Sequence, residues 1–399
     1  MSYKPPQRIL DNYAKVFIRF ALRDGKGIKK GDVVSLNVPE NAKPMLLSLR
    51  REVLKAGGHP IVKYRPDEIT KEFFDYANKK QLTFFPEKML KGYVDEIDHL
   101  VSIIADTNKK ELEKVDPKKI MLASDSKKQL SDWLTEKENK GKFTWTLGLY
   151  ATEAMAKEAG VSLKQYWNQI IKACHLDAED PIKEWKKADK EIKRLTKKLD
   201  SLKIEKVRVE SQGTDLTVGL GPGRKWMGGR GRNIPSFEVF ISPNKHLTEG
   251  KIEFDQPLYR YGNLIKGIKL EFKKGKVVKA SAKKGEKTLK EMIKVKGADM
   301  AGEFSLTDKN LSRIDRFMGE TLFDENFGGD YGNTHIALGK SYKDSYPGDP
   351  NKVSKKEWEK LGYNDSSVHT DIVSTKNRKV TAWTKKGKMV IYEDGEFKI

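Results

Sequence analysis

The chain has 399 residues, more than one compact core needs, so two domains are the natural expectation. It is 37% hydrophobic and 34% charged with both signs abundant, which excludes a disordered chain, and its single cysteine, Cys174, excludes a disulfide-built secreted scaffold. The formal net charge of +21 comes from 78 basic and 57 acidic residues; the lysines are spread along the chain, as in Lys109-Lys110, Lys186-Lys187 and Lys355-Lys356, without the interleaved aromatics of a base-stacking surface, and read as a solvated face rather than a nucleic-acid groove.

The opening MSYKPPQRILDNYAKVF has no apolar signal core, and no apolar run reaches the roughly 18 residues a membrane helix needs, so a cytoplasmic protein is expected. Strand-like and helix-like segments then alternate. DVVSLNV (32–38) reads as a strand, PMLLSLRREVLKAG (44–57) as a helix ending at Gly57-Gly58, HPIVKY (59–64) as a strand and DEITKEFFDYANKKQ as a helix. Further strands are expected at HLVSIIAD (99–106), KIMLAS (119–124) and FTWTLGL (143–149). Strands separated by helical patterns predict an α/β domain with a mainly parallel sheet. The turn after the first strand is PENAKP, without glycine, so a dinucleotide fold is excluded as a function.

From Thr152 to about Leu202 the chain reads as helices, the last of them, PIKEWKKADKEIKRLTKKLDSL, charged enough to bridge two domains through solvent. Cys174 beside His175 reads as packing, because neighbours on a helix point about 100° apart. Beyond it the pattern changes to strands and turns: VRVESQGTDLTVGLG (207–221), EVFISP (238–243), KIEFDQPL (251–258), IKGIKLEFKKGKVVKASAKKG (265–285) and VTAWTKKGKMVIYEDGEF (380–397), with KGK and GKVV read as tight hairpins. The expected boundaries are therefore an α/β domain over 1–200, including a helical connection at about 152–202, and a β-rich α+β domain over 203–399.

His59, His99, His175 and His246 have no second ligand spaced nearby and read as structural or surface residues. His369 and Asp371 of VHTDIV are two apart; on a strand both point to one face, either as a pair of metal ligands or as a hydrogen-bonded His–Asp pair. The glycine-rich stretch LFDENFGGDYGNTHIALGKSY (322–342) adds Asp324, Glu325, His335 and Tyr342, NIPSFEVFISP (233–243) offers Glu238, and ADMAGEFSL (298–306) offers Glu303. No H-E-x-x-H helix and no G-x-S-x-G elbow occur, which argues against a single-metal zincin and a serine hydrolase.

In this order, GTDLTVGL, NIPSFEVFISP, AGEFSL, LFDEN with HIALGKSY, and VHTDIV resemble the thermophilic aminopeptidase family, the group containing aminopeptidases T and S and PepS. The resemblance extends to KGDVVSLNVPE and ATEAMAKEAGVSLKQYW, over essentially the whole chain. It implies a dinuclear site for zinc, cobalt or manganese, with Glu238, Glu303, Glu325, His335, His369 and Asp371 at the ligand positions and Tyr342 at the active-site tyrosine, seven residues after His335. Glu238 or Glu303 would bridge the ions and assist as a base. The segment FGGDYGNT between DEN and His335 is longer than the family pattern. The implied activity is release of N-terminal residues from peptides, by a homodimer.

Overall fold

Where the sequence alternates strand and helix, the chain builds a five-stranded parallel sheet, in the order His59–Arg65, Val33–Pro39, His99–Ile104, Thr144–Leu149 and Asn233–Ile234. The computed structural model describes residues 3–229, 231–260 and 263–399. The Val33–Pro39 strand lies inside the sheet, and its Val34, Leu36 and Val38 are fully buried, as a strand paired on both sides requires. The helix Lys43–Lys55 follows it, buries Leu46, Leu49 and Val53 at helical spacing, and stops where Gly57 takes a positive φ.

Two expectations in this half are corrected. KIMLAS is not a strand: it lies in the helix Pro117–Ser126. The sheet pairs His99–Ile104 directly with Thr144–Leu149 and leaves no slot for it. Asp116 caps that helix by accepting from the Lys118 amide at 2.9 Å, and Ala123 packs into a small satellite core with Phe74, Ala77 and Leu82. The expected helix over DEITKEFFDYANKKQ is two, Ile69–Tyr76 and Lys79–Leu82. Asn78 breaks it by capping the second: it accepts from the Gln81 amide while Gln81 accepts from the Asn78 amide.

The chain divides into two compact units, Met1–Trp185 with Arg230–Ile234, and Lys186–Gly229 with Pro235–Ile399. The division falls within the long helix Pro181–Leu202. That helix is amphipathic rather than polar all round: in the second unit its Ile192, Leu195 and Leu199 are buried and its lysines face solvent.

The second unit is a sandwich. One sheet has eight strands, in the order Lys276–Ser281, Lys269–Lys273, Thr248–Glu253, Thr214–Gly219, Lys206–Ser211, Arg378–Thr384, Gly387–Glu393 and Glu396–Phe397, all paired antiparallel. The KGK turn closes its first hairpin, with Lys274 and Gly275 both at positive φ. The other sheet runs His369–Ser374, Asn333–Gly339, Ala301–Thr307, Glu238–Ile241 and Met227–Gly228, again antiparallel. Their shared core takes Val207, Val209, Leu216 and Val218 from the first sheet and Val239, Phe304, Leu306, Ile336, Leu338 and Ile372 from the second. At about 1.5–3 kcal/mol for each such side chain, this burial fixes which face of the second sheet points inward. Among the described residues no helix is long and apolar enough to cross a membrane.

Candidate metal centre

The five-stranded sheet has an apolar inner face and a polar opposite face, and its register decides what the second one carries. Ser305 lies opposite His335, Glu303 opposite Ala337, and Thr307 opposite Glu238. On the other side Ala337 lies opposite Asp371 and Gly339 opposite His369. Residues paired across strands share a face, as do residues two apart along one. Glu238, Glu303, His335, His369 and Asp371 therefore all emerge on the side away from the core. Ala337, with only a methyl side chain, is the cross-strand partner of both Glu303 and Asp371.

Glu303 follows the regular alternation of Ser305 and Thr307, and the strand is interrupted just before it by a bulge at Gly302. The register shifts between Ala301 and Glu303, and a Cβ on Gly302 would meet the carbonyl oxygens of Gly339 and Lys340 at 2.3 and 2.5 Å. Glycine is required there by close backbone approach.

The side chains converge. His335 Nε2 is 3.0 Å from Glu303 Oε1, 3.4 Å from Glu238 Oε2 and 3.8 Å from Asp371 Oδ1. His369 Nε2 is 3.3 Å from Asp371 Oδ1 and 3.8 Å from Glu303 Oε2. Two groups of potential ligand atoms result, Glu238–Glu303–His335 and Glu303–His369–Asp371, and Glu303 belongs to both. The His369 Nδ1 lies 2.8 Å from the Lys340 carbonyl oxygen, to which it donates, leaving Nε2 turned into the cluster. His335 is fully buried, and among the described residues its Nδ1 has no hydrogen-bond partner.

Crowding these groups together redistributes their protons. Burial, and then the charge of Glu303, raise the Glu238 carboxyl to about 8. Burial pulls both histidines down, but the hydrogen bond donated to Glu303 and the neighbouring carboxylates outweigh it for His335, as Asp371 does for His369, and each rises to about 9. Asp371 falls to about 2 despite its burial, held ionised by His369, His335 and Arg260. Three carboxylates in so small a volume are thus balanced only by taking up protons, the condition a divalent cation would relieve.

Tyr342 stands over this cluster: its ring centroid is 4.8 Å from that of His369 and 5.9 Å from that of Phe240. Its amide donates to Ser242 Oγ at 2.9 Å, which ties it to the end of the strand carrying Glu238. Glu325 is buried but belongs to neither ligand group. It ends the short helix Thr321–Asp324, and its carbonyl accepts from the Asn333 amide nitrogen at 3.0 Å. The flanking residues of DEN have structural work. Asp324 accepts from the amides of Met318 and Glu320, and Asn326 accepts from the Phe237 amide at 2.6 Å, one residue before Glu238.

Sequence reasoning missed Arg260, Phe240, Ala337 and the clip made by Asn326. Ala337 alone had a signal, a small residue two positions after His335 on a strand. Arg260 and Asn326 are brought to the site by tertiary contacts.

The profile of the thermophilic metalloprotease (M29) family matches residues 6–397. Among curated proteins, the chain is 28% identical to aminopeptidase 2 of Geobacillus stearothermophilus, over 96% of this chain and 95% of that protein. It is 28% identical to aminopeptidase T of Thermus thermophilus, over 88% and 89%, and 25% identical to aminopeptidase AmpS of Bacillus subtilis, over 95% of each. The fold matches that of wild-type AmpT from Thermus thermophilus with a TM-score of 0.84 at 24% identity, covering 98% of this chain and all of that one.

Proposed function

Because the chain belongs to the thermophilic metalloprotease (M29) family and is a metal-dependent aminopeptidase acting on peptides, we propose that Glu238, Glu303, His335, His369 and Asp371 hold two divalent ions for that reaction. The observation that carries this reading is Glu303, which turns one oxygen to His335 and the other to His369, as a carboxylate shared by two ions would. The separations within the cluster also suit it. Ligand atoms on a tetrahedral ion with bonds of about 2.0–2.2 Å lie roughly 3.3–3.6 Å apart, and the four His–carboxylate separations within the two groups run from 3.0 to 3.8 Å. Mixed carboxylate and imidazole donors fit zinc, cobalt or manganese.

Bound ions would supply Lewis acidity toward the scissile carbonyl and lower the pKa of a water molecule to near neutrality. The chain's own groups do the rest. With both oxygens of Glu303 directed to the ions, the neighbouring Glu238 accepts the proton of the attacking water and passes it to the departing amine. The Tyr342 hydroxyl donates to the oxygen that becomes negative, held in place by the Ser242 clip and the Phe240 ring. A carboxylate or a bound ion would hold the substrate's free α-amine, which confines cleavage to the peptide's first bond. Glu325 lies outside this proposed ligand set. A homodimer and a cytoplasmic setting complete the reading; the first is supported by the family resemblance and the second by the single, buried cysteine.

The test is hydrolysis of a panel of aminoacyl chromogenic amides by metal-stripped protein, before and after adding zinc, cobalt or manganese. Restored release from free substrates but not from N-blocked ones is expected, with two ions bound per chain. No release with any metal would overturn the reading, and a single ion at full activity would overturn its dinuclear part.

A further inference from the structure

Among the described residues, three buried polar atoms on the face that carries the proposed ligands lack partners: His335 Nδ1, Ser305 Oγ and Asn333 Oδ1. All three residues are 0% exposed. They also share one place. Ser305 is the cross-strand partner of His335, and Asn333 lies two residues before His335 on the same strand and therefore on the same face.

Their chemistry is complementary. If His335 Nε2 gives its lone pair to a cation, the ring proton must sit on Nδ1, which becomes a buried donor. Asn333 cannot be turned round: its Nδ2 donates to the carbonyls of Glu325 and Phe327 at 3.0 and 2.7 Å, so Oδ1 is a fixed acceptor. Ser305 Oγ can donate or accept. A buried donor, a buried acceptor and a hydroxyl are what a single enclosed water satisfies, which typically makes about three hydrogen bonds. Leaving them unmet would instead leave each group with its full desolvation penalty.

We propose that Ser305 and Asn333 are positioning residues for His335, joined to its Nδ1 through one buried water molecule that fixes the ring with Nε2 toward the metal. This rests on the metal-ligand role proposed above for His335. It also ties the ligand to the longer segment before it, because Asn333 holds the backbone of residues 325 and 327 with the same amide.

The experiment compares full-length wild type with Ser305→Ala, measuring zinc affinity by chelator competition and the visible absorption of the cobalt-loaded protein. Ser305→Ala is expected to melt near wild type when stripped of metal, to bind zinc about 10–100-fold more weakly, and to shift the cobalt bands. Equal affinity with unchanged bands would overturn the proposal. If the variant does not fold, crystals of the zinc-loaded wild type decide: a water within hydrogen-bond reach of all three atoms supports the arrangement, and none there overturns it. A wild type that takes up no divalent ion would sink the ligand role of His335 instead, and the same water would still be sought in metal-free crystals.

Discussion

Glu303 is the residue on which the site turns, because it is the one member common to both ligand groups. Glu303→Ala is expected to lose bound metal and turnover together, by at least about a thousandfold, whereas Tyr342→Phe should keep the metal and lose about 10²–10³ in kcat. Metal analysis beside steady-state kinetics separates the two, and a fully active Glu303→Ala protein would remove that residue from the site. The protons held by the cluster give a second expectation. His335 and His369 are raised from 6.5 to about 9 and Glu238 from 4.5 to about 8 in the metal-free protein. For the histidines the stabilisation is complete below about pH 6.5 and is lost as pH rises through 9; protonated Glu238 loses its share between 4.5 and 8. The metal-free protein should therefore become less stable across roughly pH 5–9. The same deprotonations free donors for a cation, so metal affinity and the metal-induced rise in Tm should both grow with pH. Thermal melts of stripped and loaded protein at several pH values check this; a rise in Tm that is independent of pH would contradict it.

At the scale of the element, the site depends on a bulge and a register. The bulge at Gly302 lets Ala301 face the core while Glu303 faces the ligands, although the two are separated by a single residue of close-packed backbone. Gly302→Ala would push a methyl group into the carbonyls of Gly339 and Lys340, at a cost of about 1–3 kcal/mol. Because Gly339 is the register partner of His369, the displacement should reach the site as well. We expect a Tm lowered by several degrees and zinc affinity weakened by at least tenfold, read by calorimetry and chelator competition. A variant that melts lower yet binds zinc as wild type does would show the bulge to serve packing alone. The helix Pro117–Ser126 illustrates the same scale. Its apolar KIMLAS run suits a strand by composition, but Asp116 caps it and the sheet has no vacancy, so the cap and the neighbours decide.

For the whole molecule, the apolar core of the second unit lies on one face of the antiparallel five-stranded sheet and the proposed ligands on the other. Removing metal leaves that core untouched. Chelated protein is expected to keep its far-ultraviolet circular dichroism and to melt cooperatively at a lower temperature, in contrast to small domains whose fold is metal-dependent. Loss of secondary structure on chelation would show instead that the ions hold the sheet together. The +21 charge belongs to this scale too. Much of it is carried on exposed helical and hairpin faces, where Lys128–Asp132 and Lys290–Glu286 form ion pairs one helical turn apart that contribute little to stability.

The sequence by itself determined the two kinds of architecture and the family. Alternating strand and helix patterns predict the parallel sheet, and His369 with Asp371 two apart can share a face only on a strand. Carboxylates and histidines confined to one half, in the order GEF, DEN, HIALG and HTD, carry the family resemblance. Local pattern suffices for these because periodicity and residue type are written in consecutive positions. Tertiary structure alone decided how the parts meet. Four strands distant in sequence had to pair in one register before five side chains shared a face. Next to Glu303, a bulge that no periodicity announces turns Ala301 to the core. Asp324 and Asn326 became tethers for backbone amides while Glu325, between them, stayed outside both ligand groups, a distinction set by where the short helix ends. Non-local pairing places these groups, and the free energy that fixes it comes from the apolar residues on the opposite face of the same sheet.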